Sequence, residues 1–221
     1  LREPVSWRWS HNRHHADTIV VGRDPEIAYP RPPSFLKMFA ECFALLSFVA
    51  EFKKYFANLR GRLTPAEAVY LPERESRRAI FWGRMHLLAW ALTVAAAIVW
   101  RSWLPLMMVG LPSLYGRWML VFFGTTQHAG LAEDVLDHRR NTRTVLMNPV
   151  FRFLYLNMNY HVEHHMFPAV PYRNLPKLHE LVKDDFPEPY PNTWSAYRDI
   201  LPAMRAQQRD ASFCLEPRPS A

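Results

Sequence analysis

Cysteine is close to absent from this chain of 221 residues, which holds only Cys42 and Cys214. Two thiols so far apart make neither a disulfide framework nor a Cys-x-x-Cys metal site. They also exclude a built-in iron–sulfur cluster, which needs about four protein ligands. A reducing compartment suits that composition. Charge is scarce in one block: between Ala79 and Gly124 only Arg84, Arg101 and Arg117 carry it. Two metalloenzyme signatures are missing as well. No Glu is followed by His at the third position, which argues against a soluble di-iron carboxylate bundle, and His-Glu-x-x-His does not occur. Low-complexity segments are absent apart from a polar C-terminal end, and the only internal repeat is one short motif.

That motif is His-x-x-His-His. It occurs at His11-Asn12-Arg13-His14-His15 and again at His161-Val162-Glu163-His164-His165, in a chain with ten histidines in all. Such spacing is far rarer by chance than by design. In a helix the 3.6 period puts each set on one side, and the adjacent pair splays by about 100°, enough to serve two different ions. A seventh candidate, His128, lies in Gln127-His128-Ala129-Gly130. Seven imidazoles are too many for one four- to six-coordinate ion, so two metals are implied. Imidazole alone suits Fe, Zn, Cu and Ni and does not name the metal. Paired redox metals in a histidine-rich site serve to activate O2 against unactivated C–H bonds.

The rest of the chain reads as a membrane protein. The net charge is +7, with 8 Trp and 14 Phe, a balance that fits a bilayer interface better than nucleic acid. Residues 1–34 carry the first motif on a short helix from about Val5 to Asp17, then a polar, proline-rich turn. Residues 35–59 are apolar at helical spacing but interrupted by Lys37, Glu41, Glu51, Lys53 and Lys54, which predicts an amphipathic helix lying in the membrane surface. After a polar connector, residues 79–124 predict a transmembrane hairpin. Its first arm is Ala79–Trp100, about the 20 residues a bilayer requires. Its second is Leu104–Phe123, kinked by Pro105 and Pro112, with Arg117 facing protein or the interface. Residues 125–221 form a cytoplasmic cap with short helices near Asn174–Lys183 and Trp194–Ala206.

Lys and Arg support that topology, with 13 in residues 1–78, one in the turn between the arms and 11 in residues 125–221. The positive-inside rule places both long flanks on the cytoplasmic face, and an even number of crossings returns the chain to that face. Both motifs therefore share one side, as a common metal site requires.

These features carry a resemblance. His-Asn-Arg-His-His, Gln-His-Ala-Gly and Asn-Tyr-His-Val-Glu-His-His-Met-Phe-Pro, separated by an apolar hairpin, resemble the histidine boxes of the membrane fatty acid desaturase superfamily, from about Trp7 to Val182. The phrases around the two main boxes look most like a bacterial branch of fatty acid desaturases and hydrocarbon oxygenases, some associated with rhizopine catabolism. The resemblance implies an all-α integral membrane fold and a cytoplasmic-facing non-haem site with two Fe ions and O2 as co-substrate. It also implies an electron donor such as ferredoxin and a lipid acyl chain or hydrocarbon as substrate, in what would be a bacterial inner membrane. Carried over, His11, His14 and His15 match the second box, His161, His164 and His165 the third, and His128 the histidine before it. A first box, HxxxH or HxxxxH, separate from these two is not found, so the chain is expected to be an N-terminally truncated piece of a single desaturase domain spanning 1–221, inactive by itself. No fused cytochrome b5 motif is present.

Asp17, Asn157, Asn159 and Glu163 are candidates to accept the outer N–H of a metal-bound imidazole. His86 reads as a packed core or interface histidine, His138 as solvent-facing or supporting, and His179 as a helix-surface residue. Arg139, Arg140 and Arg143 read as a docking patch for an acidic carrier or as a positive-inside anchor. Two other functions compete with a desaturase. One is a hydrocarbon or alkane-type hydroxylase of the same site class. The other is a non-catalytic metal-binding or transport protein, disfavoured because both boxes lie outside the apolar segments.

Overall fold

The computed structural model describes residues 3–28 and 30–218. Among them there is no strand, only isolated bridges at Thr144–Tyr160 and Val145–Tyr190, and the expected all-helical class holds. The α-helices are α1 (Pro4–Ala16), α2 (Phe35–Cys42), α3 (Leu45–Leu59), α4 (Pro65–Tyr70), α5 (Ser76–Val99), α6 (Leu104–Met108), α7 (Pro112–Tyr115), α8 (Arg117–His128), α9 (His138–Asn141), α10 (Pro149–Leu154), α11 (His161–Met166), α12 (Leu175–Val182) and α13 (Thr193–Gln207). The described residues group into two compact units: those within 1–13 and 35–121, and those within 14–34 and 122–221.

The first unit is organised by α5. Its run of Leu, Ala, Val and Trp has helix-favouring spacing and no acidic residue, and most of that surface is exposed. The stretch Glu73–Val99 is the one helix among the described residues that is long and apolar enough to cross a membrane. α3 packs on α5 through a face that buries Tyr55 and Asn58. Their approach needs Gly83: a Cβ there would lie 2.0 Å from Asn58 Oδ1. Gly83→Val is therefore expected to lower the protein's stability by about 1–3 kcal/mol through overpacking. Thermal unfolding in detergent reads the loss, and adding Asn58→Ala should recover part of it. A smaller cluster joins Val5 of α1 to Leu71 and Ala79. Beside it, Glu67 closes a capping box with Thr64 and accepts from Ser6 Oγ at 3.0 Å.

Two expected elements differ in this unit. The amphipathic helix over 35–59 is two helices, because Ala44 adopts a left-handed φ of 56° between α2 and α3. The expected second transmembrane arm is not one helix but α6, α7 and the start of α8. The chain does reverse after Trp100, and α6 packs back on α5. Gly110 then interrupts the run at a φ of +96°, against the Trp90 ring that a Cβ would strike at 2.3 Å. Pro105 and Pro112 sit at the starts of α6 and α7, where the missing N–H costs nothing. Arg117 does face protein: its guanidinium reaches Glu41 Oε1 at 2.8 Å and Ser47 Oγ at 2.7 Å. A second continuous span is absent among the described residues, so the hairpin is not established by the fold.

The second unit is built from short helices and ordered loops. Its interior holds Val145, Val162, Leu175, Ile200 and Met204. α13 starts at a capping box between Asn192 and Ser195, and its buried face carries Ala196, Ile200 and Ala203 at helical spacing. The segment after α9 is tied by backbone bonds from Arg143 N to Gln127 O (3.0 Å) and from Val145 N to Asn159 O (3.0 Å). Those ties hold the end of α8 beside α11.

Candidate metal centre

α1 and α11 form where the two His-x-x-His-His motifs predict helices, and α8 ends on His128. In the second unit four imidazoles converge. His14, His128, His161 and His165 each bring one nitrogen to within 4.8 Å of the others. His161 Nε2 lies 3.0 Å from His128 Nε2 and 3.2 Å from His165 Nε2. His14, His161 and His165 are buried and His128 half-buried. Beside them the His15 ring sits 4.5 Å from that of His164 and 4.3 Å from that of His165. His11 lies one turn before His14 on α1, stacked on Trp7 at 5.3 Å.

The outer nitrogens decide what the inner ones can do. His128 Nδ1 is 2.8 Å from the Asn141 carbonyl, which can only accept, so that nitrogen is the donor. Thr18 spends its hydroxyl proton on His14 O at 2.6 Å and is left to accept from His165 Nδ1 at 3.0 Å. His14 Nδ1 donates to Asp24 Oδ2 at 2.8 Å. Three rings are thus held as Nδ1–H tautomers, with Nε2 lone pairs free for a ligand role. Burial, reinforced by neighbouring imidazoles, pushes the pKa values of His128, His161 and His165 well below the ordinary one, keeping them neutral. His161 Nδ1 is buried with no hydrogen-bond partner among the described residues.

This donor set fits a transition-metal cation. Metal–nitrogen bonds of about 2.0–2.1 Å place neighbouring ligand nitrogens about 2.9–3.4 Å apart, the range seen around His161. Without a cation, lone pairs that face one another in a dry site repel. All-nitrogen ligation suits iron, zinc, copper or nickel.

The residues expected to support the ligands lie nearby with other partners. Asp17 Oδ1 pairs with Arg23 at 2.7 Å. Glu163, almost fully buried, accepts from Thr144 Oγ1 at 2.5 Å and pairs with His179 Nδ1. Asn159 Nδ2 donates to Val145 O at 2.9 Å, and Asn157 Nδ2 to Tyr172 O at 3.2 Å. Asp24, Thr18 and the Asn141 carbonyl, which touch the cluster, were not foreseen. Asp24 alone left a signal, as the acid of Arg23-Asp24-Pro25-Glu26 just after the first motif.

Two other expectations change, and for His138 the solvent-facing alternative falls away. His179 is buried, not on a helix surface, because its ring fills the space beside Glu163. Arg143 is buried too: it donates to Ala129 O, its cation lies over the Tyr190 ring at 5.8 Å, and burial pushes its pKa down to about 10. It offers no surface to a carrier. His138 is half-buried, its ring 5.2 Å from that of His165, and burial lowers its pKa.

Comparison with known proteins identifies a family. The fatty acid desaturase family model matches residues 2–197. An acyl-lipid (9+3)-(E)-desaturase of Dimorphotheca sinuata is 25% identical, the match covering 95% of this chain and 60% of that protein. The Delta(5) fatty acid desaturase fat-4 of Caenorhabditis elegans is 24% identical, over 80% of this chain and 46% of its own length. The chain thus spans about half the length of these curated relatives. No solved structure gives a significant match.

Proposed function

Because the chain belongs to the fatty acid desaturase family, we propose that it is part of an O2-dependent membrane oxidoreductase that introduces a double bond into fatty acyl chains of lipids. The ligands of this reading are His11, His14, His15, His128, His161, His164 and His165, shared between two Fe ions. The observation that carries it is the cluster of His14, His128, His161 and His165, in which the Nε2 of His161 lies 3.0 Å from that of His128 and 3.2 Å from that of His165. Bound iron would supply the one-electron and O2 chemistry that an unactivated C–H bond requires.

The chain's own residues do the rest. The Asn141 carbonyl, Thr18 and Asp24 hold three rings in the tautomer that points Nε2 inward. Burial of His14, His161 and His165 keeps water from the donor atoms, and burial keeps the His161 and His165 imidazoles uncharged. In this reading the apolar segments over 79–124 anchor the protein as a transmembrane hairpin, α2 and α3 lie at the bilayer surface, and the histidines face the cytoplasm of a bacterial cell. Reducing equivalents come from a separate small carrier such as ferredoxin, and nucleic acid has no part.

The test is product analysis under 18O2, using membranes that hold the complete protein of which this chain is part, with reduced ferredoxin and acyl lipids. The expected product is an acyl chain lacking two hydrogens and carrying no label. Labelled alcohol instead would overturn desaturation in favour of the hydroxylase of the same site class. Metal binding without O2 consumption would leave a non-catalytic metal-binding or transport protein.

A further inference from the structure

We infer that Asp24 is a positioning residue for the metal centre, an anionic clamp on His14 that makes this imidazole the strongest donor of the four-histidine cluster. The inference rests on the metal-binding reading above. Its support is a set of contacts that no histidine box contains.

The Asp24 side chain is fully buried, and no lysine or arginine pairs with it among the described ion pairs. Three donors hold it instead. Oδ2 accepts from Ile19 N at 2.8 Å and faces His14 Nδ1 at 2.8 Å, while Oδ1 accepts from Glu26 N at 2.7 Å. The turn from Asp17 to Asp24 is closed by Val20 N to Asp17 O and Asp24 N to Val20 O, so the carboxylate is aimed by the backbone. Ile19 pays for that turn with a left-handed φ of 55°, an uncommon conformation for a β-branched residue. The same turn delivers Thr18 to His165, so one loop orients two of the four rings.

The outer partners differ in charge. His165 has a hydroxyl and His128 a peptide carbonyl, both neutral; His14 has a carboxylate. A carboxylate on Nδ1–H raises the basicity of Nε2 and fixes the ring. His14 is therefore the ligand through which the protein places negative charge next to the centre. Asn at position 24 keeps the shape but sets an amide NH2 against at least one of three N–H donors, so it cannot serve them all.

The experiment uses the full chain in detergent, freed of metal, titrated anaerobically with Co(II), whose visible absorption reports coordination. In the unaltered protein Co(II) is expected to bind with the intense bands of a four-coordinate nitrogen site. Asp24→Asn should weaken that binding by about 10–100-fold and shift the bands, as loss of an outer carboxylate does at other metal sites. Should Asp24→Asn also lower the melting point of the metal-free protein, 15N NMR of the unaltered metal-free protein decides, with the His14 signal assigned by its loss in His14→Gln. A His14 ring protonated at Nδ1 supports the clamp, and one protonated at Nε2 overturns it. Equal Co(II) affinity and identical spectra in Asp24→Asn overturn it as well. Failure of the unaltered chain to bind Co(II) sinks the metal-centre reading instead.

Discussion

Replacing His161 by Ala is expected to abolish tight metal binding at the four-histidine cluster. His161 is its hub, with Nε2 at 3.0 Å from His128 and 3.2 Å from His165. Losing an outer partner of a ligand costs about 10–100-fold in affinity; losing the ligand itself must cost more. The two neighbours would keep their lone pairs but lose the group that closes the site. Anaerobic Fe(II) titration with metal analysis measures the effect, and O2-dependent product of the complete protein should disappear in parallel. His86→Ala is the control: this ring stacks on Tyr55 at 6.0 Å within the first unit and should leave metal binding unchanged. The metal-free His161→Ala protein should unfold near the temperature of the parent. Removal of the unpartnered buried Nδ1 relieves about 1–3 kcal/mol of desolvation, which offsets the cavity it leaves. Retained binding in His161→Ala would refute the centre as described.

His179→Ala is expected to give the largest loss of stability. His179 of α12 holds Glu163 of α11, a residue 1% exposed whose other partner is Thr144. Removing the imidazole leaves a buried carboxylate with one hydrogen bond, at a cost of about 3 kcal/mol or more. In a chain of this size that lowers Tm by about 6–12 °C. His179→Asn, whose amide can stand in for Nδ1–H, should restore part of the loss. Because Glu163 lies between His161 and His164 on one short helix, His179→Ala should also broaden the metal-site spectrum. An unchanged Tm would mean that α12 does not secure α11.

Much of the candidate site was legible because helix phase is local. His-x-x-His-His needs only the 3.6 period to place its rings, and α1 and α11 formed where the motifs lie. His128 was legible from its neighbours Gln127, Ala129 and Gly130. The apolar first arm was legible for the same local reason, since length and composition suffice to mark α5. The second arm was misjudged because its hydropathy hides the backbone: Gly110 at positive φ and two prolines divide a run that composition alone joins. In 35–59, the break at Ala44 left no residue signal, since Ala is a strong helix former held there in a left-handed turn.

The sequence by itself determined the helical class, the histidines that can act as ligands, the apolar stretch of α5 and the likeness to desaturases, all of which depend on residue type and short spacing. Only the tertiary structure decided which partners the rings take. Asp24 reaches His14 across ten residues and Thr18 reaches His165 across 147, while Glu163 pairs with His179 rather than with a ring of the histidine cluster. The physical reason is that hydrogen-bond partners are chosen by burial and distance. A buried polar atom takes the nearest satisfying group, and in a unit built of short helices and long loops that group is seldom a neighbour in sequence.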